Sequence, residues 1–250
     1  MSGMRGNGRW SRWSRNRWIA IGVVALIVVA GGGYAAFSIA AGGGPAAVSL
    51  SAAAEASCTS TGNVQVPGGS TASGKLDGAW KVEEGSSFVG YRVREQLAIL
   101  PAPSDAVGRT TAVDGELDVA GLQITKVDVT ADLTQLTSDR SQRDERIHTI
   151  GLETDSFPDA TFSLTEPITF EAQPADGETI DAGATGELTL HGATNQLCVP
   201  IQATLSGDTI HVLGSVDVVF ADYGMEAPNF GFVSTEDHGT IEFQLDFVRT

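Results

Sequence analysis

The chain has 250 residues, with 31 acidic and 15 basic side chains and a formal net charge of −16 at pH 7. Five of the basic residues (Arg5, Arg9, Arg12, Arg15, Arg17) precede residue 18, so the remainder is more acidic still and would repel a phosphate backbone. No nucleic-acid partner is expected, and an acidic surface says little about substrate beyond solubility.

Residues 1–17 read as a basic cytoplasmic tail. Residues 18–41 (WIAIGVVALIVVAGGGYAAFSIAA) carry no charge. As a helix, such a run would span about 36 Å, enough for a bilayer core with some tilt. The arginines before it stay inside under the positive-inside rule, which places everything C-terminal outside. One reading is a retained transmembrane anchor. The other is a signal peptide with its apolar core at 19–30, cut after a small-residue site such as Ser38-Ile39-Ala40. The length of the run favours the anchor, and both readings predict an exported domain. The expected location is the cell membrane, single-pass, with the C-terminal domain extracytoplasmic.

Residues 42–78 are dominated by Gly, Ala, Ser and Thr and read as a flexible linker. Within it Gly69 to Lys75 (GSTASGK) approaches a phosphate-binding loop, but Leu76 stands where Ser or Thr is required. Cys58 and Cys198 are the only cysteines. In an exported chain they permit one disulfide, which would pin the linker to the domain; the alternative is two unrelated thiols. Lipid modification of Cys58 is disfavoured by Glu55, three residues earlier, where a small or apolar residue is wanted.

From Trp80 onward short alternating runs dominate. Val89, Tyr91 and Val93 alternate with Gly90 and Arg92; Val127, Val129, Ala131 and Leu133 alternate with Asp128, Thr130 and Asp132. The pattern recurs at Val113–Val119, Leu188–Leu190, Val199–Leu205, Val216–Phe220 and Ile241–Phe247. Period-two alternation marks an antiparallel sheet with one apolar face, and seven or eight such strands suit a closed barrel or a sandwich. Thr137–Leu152 breaks the rhythm: it is polar, with Ile147, Ile150 and Leu152 at helical spacing, and predicts a short helical insert capped by Ser138 or Asp139.

Reactive constellations are sparse. The four histidines (His148, His191, His211, His238) fall in different predicted elements and lack ligand spacing. A hydrolase would have to combine His191 with Asp222, or use Arg143 and Asp144; charge-assisted bonding within the insert is the plainer reading of the second pair. Asp114, Glu116 and Asp118 share one strand face and read as a solvated face. Phe88, Tyr91, Phe162, Phe220, Phe230, Phe232 and Phe243 suit either a packed core or a hollow one.

Three segments, in order, resemble the YceI-like family. They are Ser141–Phe162 with its Arg143-Asp144 pair and Phe157-Pro158; Gly186–Thr194 with Leu188-Thr189-Leu190-His191-Gly192; and Phe220–Met225 with its Tyr223-Gly224 turn. The resemblance covers about residues 76–248. It implies an all-β fold: an extended eight-stranded antiparallel lipocalin-like barrel with a short helical insert, around an apolar tunnel. It further implies a bound polyisoprenoid or quinone-type lipid, no cofactor and no catalytic residues. Val89, Tyr91 and Val93 occupy inward positions of the family's first strand and are expected to line the tunnel. Val129, Phe162, Leu164, Val218, Phe243 and Leu245 are added on alternation alone. Arg146 stands where the family usually has His, as does a residue near Glu95, and Leu97–Thr111 looks longer than a simple hairpin. The expected role is a membrane-tethered lipid carrier, store or sequestering protein; the alternatives are an interaction module with a filled barrel, or a hydrolase.

Overall fold

The computed structural model describes residues 44–59, 63–66, 76–98, 102–229, 231 and 233–250. The predicted apolar span at 18–41, together with Phe230 and Phe232, lies outside them. Among the described residues no helix is long and apolar enough to cross a membrane.

Among the described residues, thirteen strands form one antiparallel sheet. In chain order they are β1 (Gly78–Val82), β2 (Phe88–Leu97), β3 (Ser104–Thr110), β4 (Val113–Ala120), β5 (Gln123–Asp132), β6 (Thr137–Ser138), β7 (Asp159–Leu164), β8 (Ile168–Thr169), β9 (Thr179–Leu190), β10 (Ala193–Ser206), β11 (Thr209–Val219), β12 (Val233–Thr235) and β13 (His238–Arg249). Eight of them close a ring in the order β1-β4-β5-β7-β9-β10-β11-β13, sealed by Trp80↔Arg249, Lys81↔Val248 and Val82↔Phe247. After short breaks in the chain, β2 and β3 continue β1 and β4. β13 therefore pairs with β1 near its C-terminal end and with β2 from Thr240 to Gln244. Closure removes the exposed edges that an open sheet would leave.

Tight turns make this meander possible. His191 (φ 51°) and Gly192 (φ 75°) both occupy the left-handed region between β9 and β10, as a two-residue hairpin turn with the favoured twist demands. One barrel end is packed solid by Leu76, Trp80, Phe170, Ile180 and Leu205. Trp80 is 1% exposed, its indole N–H donates to the Leu76 carbonyl at 3.0 Å, and the Arg249 guanidinium covers its ring at 4.4 Å.

The polar segment at 137–152 folds as α2 (Ser141–Arg146) running into one π-helical turn, Ile147–Gly151. Its N-cap is Arg140 and makes no side-chain capping bond, which corrects the expected Ser138 or Asp139 cap. The reason is local. The Asp144 carboxylate reaches back to accept from the Ser138 amide (2.9 Å) and hydroxyl (2.6 Å), so the helix start is tied from inside the helix.

Residues 44–59, expected as free linker, instead lie along the outer barrel wall as a strap. Composition does not register bonds made to a distant element. Arg92 donates to the Pro45 carbonyl at 2.9 Å and Arg109 to that of Ala46 at 3.1 Å. Ser51 caps α1 (Ala52–Ala56) and donates to Asp181 at 2.9 Å. Cys58 is bonded to Cys198 of β10 across 140 residues of sequence. Gly183 leaves room for this crossing, since a Cβ there would sit 2.9 Å from the Cys198 sulfur and 3.2 Å from the Ser57 carbonyl. Under the strap Glu242 is 2% exposed, which its ion pair with Arg92 at 2.7 Å makes tolerable.

Candidate ligand cavity

Alternation turns odd-numbered residues of β2 and β13, and even-numbered residues of β7, β9 and β11, toward the barrel axis. They enclose a cavity of about 410 Å³, within the usual range for small-molecule sites. Its wall is almost entirely apolar. Eight of the nine positions named from sequence line it: Val89, Tyr91, Val93, Val129, Phe162, Val218, Phe243 and Leu245. Leu164 does not line the cavity, although like Val129 and Phe162 it packs against the core cluster. Phe220 also lines it, whereas Phe88 stacks under the Arg109 guanidinium at 3.9 Å.

Three glycines explain why the interior is hollow. A Cβ on Gly108 would fall 2.4 Å from the Tyr91 ring, one on Gly186 2.5 Å from the Phe162 ring, and one on Gly214 2.0 Å from the Phe243 ring. Each of these three rings therefore lies against a glycine on a neighbouring strand. With any other residue beneath them, the rings would have to stand up into the lumen. Inward glycines at strand positions 108, 186 and 214 were the sequence signal for this arrangement, because glycine inside a strand marks a close approach.

The rim opposite the Trp80 plug carries the polar groups. Glu95, Arg140, Gln142, Arg143, Arg146 and Glu226 border the cavity alongside Leu97 and the exposed Ile150. Arg143 pairs with Glu95 at 2.7 Å and with Asp139. Burial works against its charge, but the bonds to Glu95 and Asp139 outweigh that and raise its pKa. Burial also raises the pKa of the Tyr91 phenol, and three neighbouring carboxylates, Asp144, Glu95 and Asp139, push the same way against Arg143. The Tyr91 hydroxyl is buried and has no hydrogen-bond partner among the described residues.

The histidines are dispersed. His148 bridges Thr154 (3.1 Å) and the Leu136 carbonyl (3.0 Å), and His211 meets Asp246 at 2.8 Å. His191 faces the Tyr223 carbonyl through Nδ1 at 3.2 Å, while its Nε2 lies 3.8 Å from Glu153; the Asp222 carbonyl accepts from Asn195. The structure thus does not bring His191 and Asp222 together as a pair.

A closed eight-stranded antiparallel barrel with a plug at one end and an apolar cavity open beneath a polar rim defines the lipocalin-like class of architecture. Within that class, the chain belongs to the YceI-like family: the model of the YceI-like domain matches residues 80–247. Among solved structures, a polyisoprenoid binding domain from Saccharophagus degradans implicated in plant cell wall breakdown is similar at 17% identity and TM-score 0.55, over 68% of this chain and 98% of that one. BcnA of Burkholderia cenocepacia shares 18% identity over 66% of this chain and 98% of its own, with TM-score 0.48. The YceI protein of Campylobacter jejuni shares 14% identity over 56% and 83%, with TM-score 0.42. No curated protein matches the chain.

Proposed function

We propose that this chain is a membrane-tethered, extracytoplasmic protein that holds a long apolar lipid of the polyisoprenoid or quinone type in its barrel, for carriage, storage or sequestration. The observation that carries the reading is the apolar cavity of about 410 Å³ inside a closed wall. The structural relative in Saccharophagus degradans is a polyisoprenoid binding domain, which supports the ligand class by analogy of fold. Each buried CH₂ contributes about 0.8 kcal/mol, so roughly ten isoprenoid carbons offset a typical association cost. The role is read as non-catalytic: Arg143 and Asp144 are engaged in fixing the insert, and His191 in a turn. Tethering rests on the uncharged run at 18–41 and the arginines before it.

The test is mass spectrometry of organic extracts from the full-length chain purified from its native membrane. A polyprenyl or quinone species near one per chain is the expected result. Lipid-free extracts, together with failure of the purified chain to take up an added polyprenyl lipid, would sink the proposal.

A further inference from the structure

Among the described residues only two that are not glycine have positive φ, Glu153 (φ 47°) and His191 (φ 51°), and their side chains face each other. Glu153 lies at the exit of the helical insert, where Ile147, Ile150, Gly151 and Leu152, just before it, line the cavity. His191 follows β9, whose Leu188 and Leu190 line the same cavity. Asn or Gly would fill that hairpin position with less strain, so a histidine there points to a use for its ring.

The ring is held on several sides. Its side chain is 14% exposed, it lies 4.4 Å from the Phe157 ring, and its Nδ1 sits 3.2 Å from the Tyr223 carbonyl. A carbonyl only accepts, so Nδ1 carries the proton and Nε2 of the neutral ring is a bare lone pair. That nitrogen is buried without a hydrogen-bond partner, and a Glu153 carboxylate oxygen stands 3.8 Å away. A lone pair facing an anion gains nothing. A second proton on the ring turns Nε2 into a cationic donor beside that carboxylate.

The surroundings favour the charged ring. The other titratable groups on the elements around it are His148 and Asp155 on the insert and its exit, Glu187 on β9, and Asp222 and Tyr223 in the turn Phe220–Tyr223. His148 is taken up by Thr154 and the Leu136 carbonyl. Burial raises the pKa of Tyr223 and keeps its phenol neutral. Asp155, Glu187 and Asp222 carry the same charge as Glu153. The cations Arg140, Arg143 and Arg146 all precede Ile147, and Arg143 is committed to Glu95 and Asp139.

We propose that His191 and Glu153 form an acid-closed latch at the cavity mouth: the doubly protonated ring binds the Glu153 carboxylate and holds the exit of the insert against the β9–β10 turn, so that bound lipid exchanges slowly in acid and faster as the proton leaves. This rests on the lipid-carrier reading above and adds a control to it. Arg143 and Glu95 hold the other end of the insert, so the latch governs the end that remains. The contact gains only from the charge on the ring, so it is complete in acid and lost as pH rises.

The test follows release of tritiated farnesol from the full-length chain in detergent, chased with unlabelled farnesol at pH 5.5 and pH 8.0. Imidazoles change charge between these values while carboxylates stay ionised. Release from wild type should be about two- to fivefold slower at pH 5.5, the worth of one half-exposed ion pair. Glu153→Gln should bring the ratio to about one, and so should His191→Asn, which suits the turn. Amide exchange across residues 152–157, corrected for its own pH dependence, reads the latch with no ligand present: protection should rise in acid in wild type and not in Glu153→Gln. Equal release at the two pH values, a ratio that survives Glu153→Gln, or unchanged protection would overturn the latch. Farnesol retained at neither pH, with the protection change present, would instead overturn the carrier reading and leave the latch as a property of the fold.

Discussion

Arg143 and Glu95, 48 residues apart in sequence, meet at 2.7 Å with only 11% and 8% of their side chains exposed. The pair ties the helical insert to β2, so the element bordering the cavity mouth is held by a charge contact and not by apolar packing alone. Removing Glu95 leaves the largely buried Arg143 with only the half-exposed Asp139 to balance its charge. Glu95→Ala should therefore cost about 3 kcal/mol in urea unfolding, and Glu95→Gln, which keeps an acceptor for the guanidinium, clearly less. A loss below about 0.5 kcal/mol for Glu95→Ala would mean that water screens the pair as it does at an open surface.

Tyr91 predicts a specific alkaline signature. Its folded pKa is raised above the ordinary tyrosine value of about 10, so above that pH the unfolded chain gives up a proton that the folded chain keeps. Stability from this group is complete below pH 10 and falls as pH rises beyond it, by about 1.4 kcal/mol per pH unit for one such group. Tyr223 is raised in the same direction by burial and adds to the slope. Tyr91→Phe should remove one proton's share of the alkaline loss. At neutral pH, without lipid, it should also stabilise the chain by about 1 kcal/mol, because an unsatisfied hydroxyl disappears. Urea titrations at pH 7 and pH 10.5 measure both, and an unchanged alkaline slope would contradict the burial of the phenol.

Gly214→Ala tests the hollow interior directly. The added methyl would overlap the Phe243 ring, 2.0 Å away, and force it off the wall into the lumen. The expected outcome is a stability loss of about 1–3 kcal/mol together with reduced lipid uptake. Gly207→Ala is the control: its Cβ would meet nothing within 4 Å, and its cost should come from its turn conformation alone (φ 62°), with uptake preserved. Equal uptake by both variants would show that ring placement does not set the capacity.

The Cys58–Cys198 bond closes a loop of 140 residues, and its loss should lower stability by about 2–5 kcal/mol. Cys58→Ser should still yield a closed barrel, because the strap lies outside the wall and contributes no residue to the cavity. Unfolding of wild type with reductant and of Cys58→Ser without it should coincide. A barrel lost altogether in the variant would assign the strap a folding role beyond cross-linking.

The strands were legible because alternation reports which face of each is apolar, and Val129, Phe162, Val218, Phe243 and Leu245, named on that pattern alone, line the cavity, as do Val89, Tyr91 and Val93, named from the family resemblance. Whether the apolar face was packed or hollow was not legible from the same signal. That outcome depends on what stands across the ladder from each large ring, and Gly108, Gly186 and Gly214 answer it only once register pairs or neighbours them with Tyr91, Phe162 and Phe243. Leu164 shows the converse: it has the right alternation, but its place in the packed cluster is set by distance along the axis, which period two does not encode. The strap escaped composition altogether. Its anchors are carbonyls of Pro45 and Ala46, which any residues would have supplied, and the information lay in Arg92 and Arg109.

The disulfide also fixes how the molecule bears tension. A pull between its two ends enters the barrel at Cys58 and passes straight to Cys198, in the middle of β10. Residues 59–197 form a covalent bypass that carries no load, and they include β1, β4, β5, β7 and β9 of the eight-stranded ring. Of the strands, the second half of β10, with β11, β12 and β13, lies in the line of force. Reduction lets the pull run on past Cys58 to Val64, bridged to Phe170, and then to β1, held to β13 by three residue pairs, so the same barrel would then unzip from its seam.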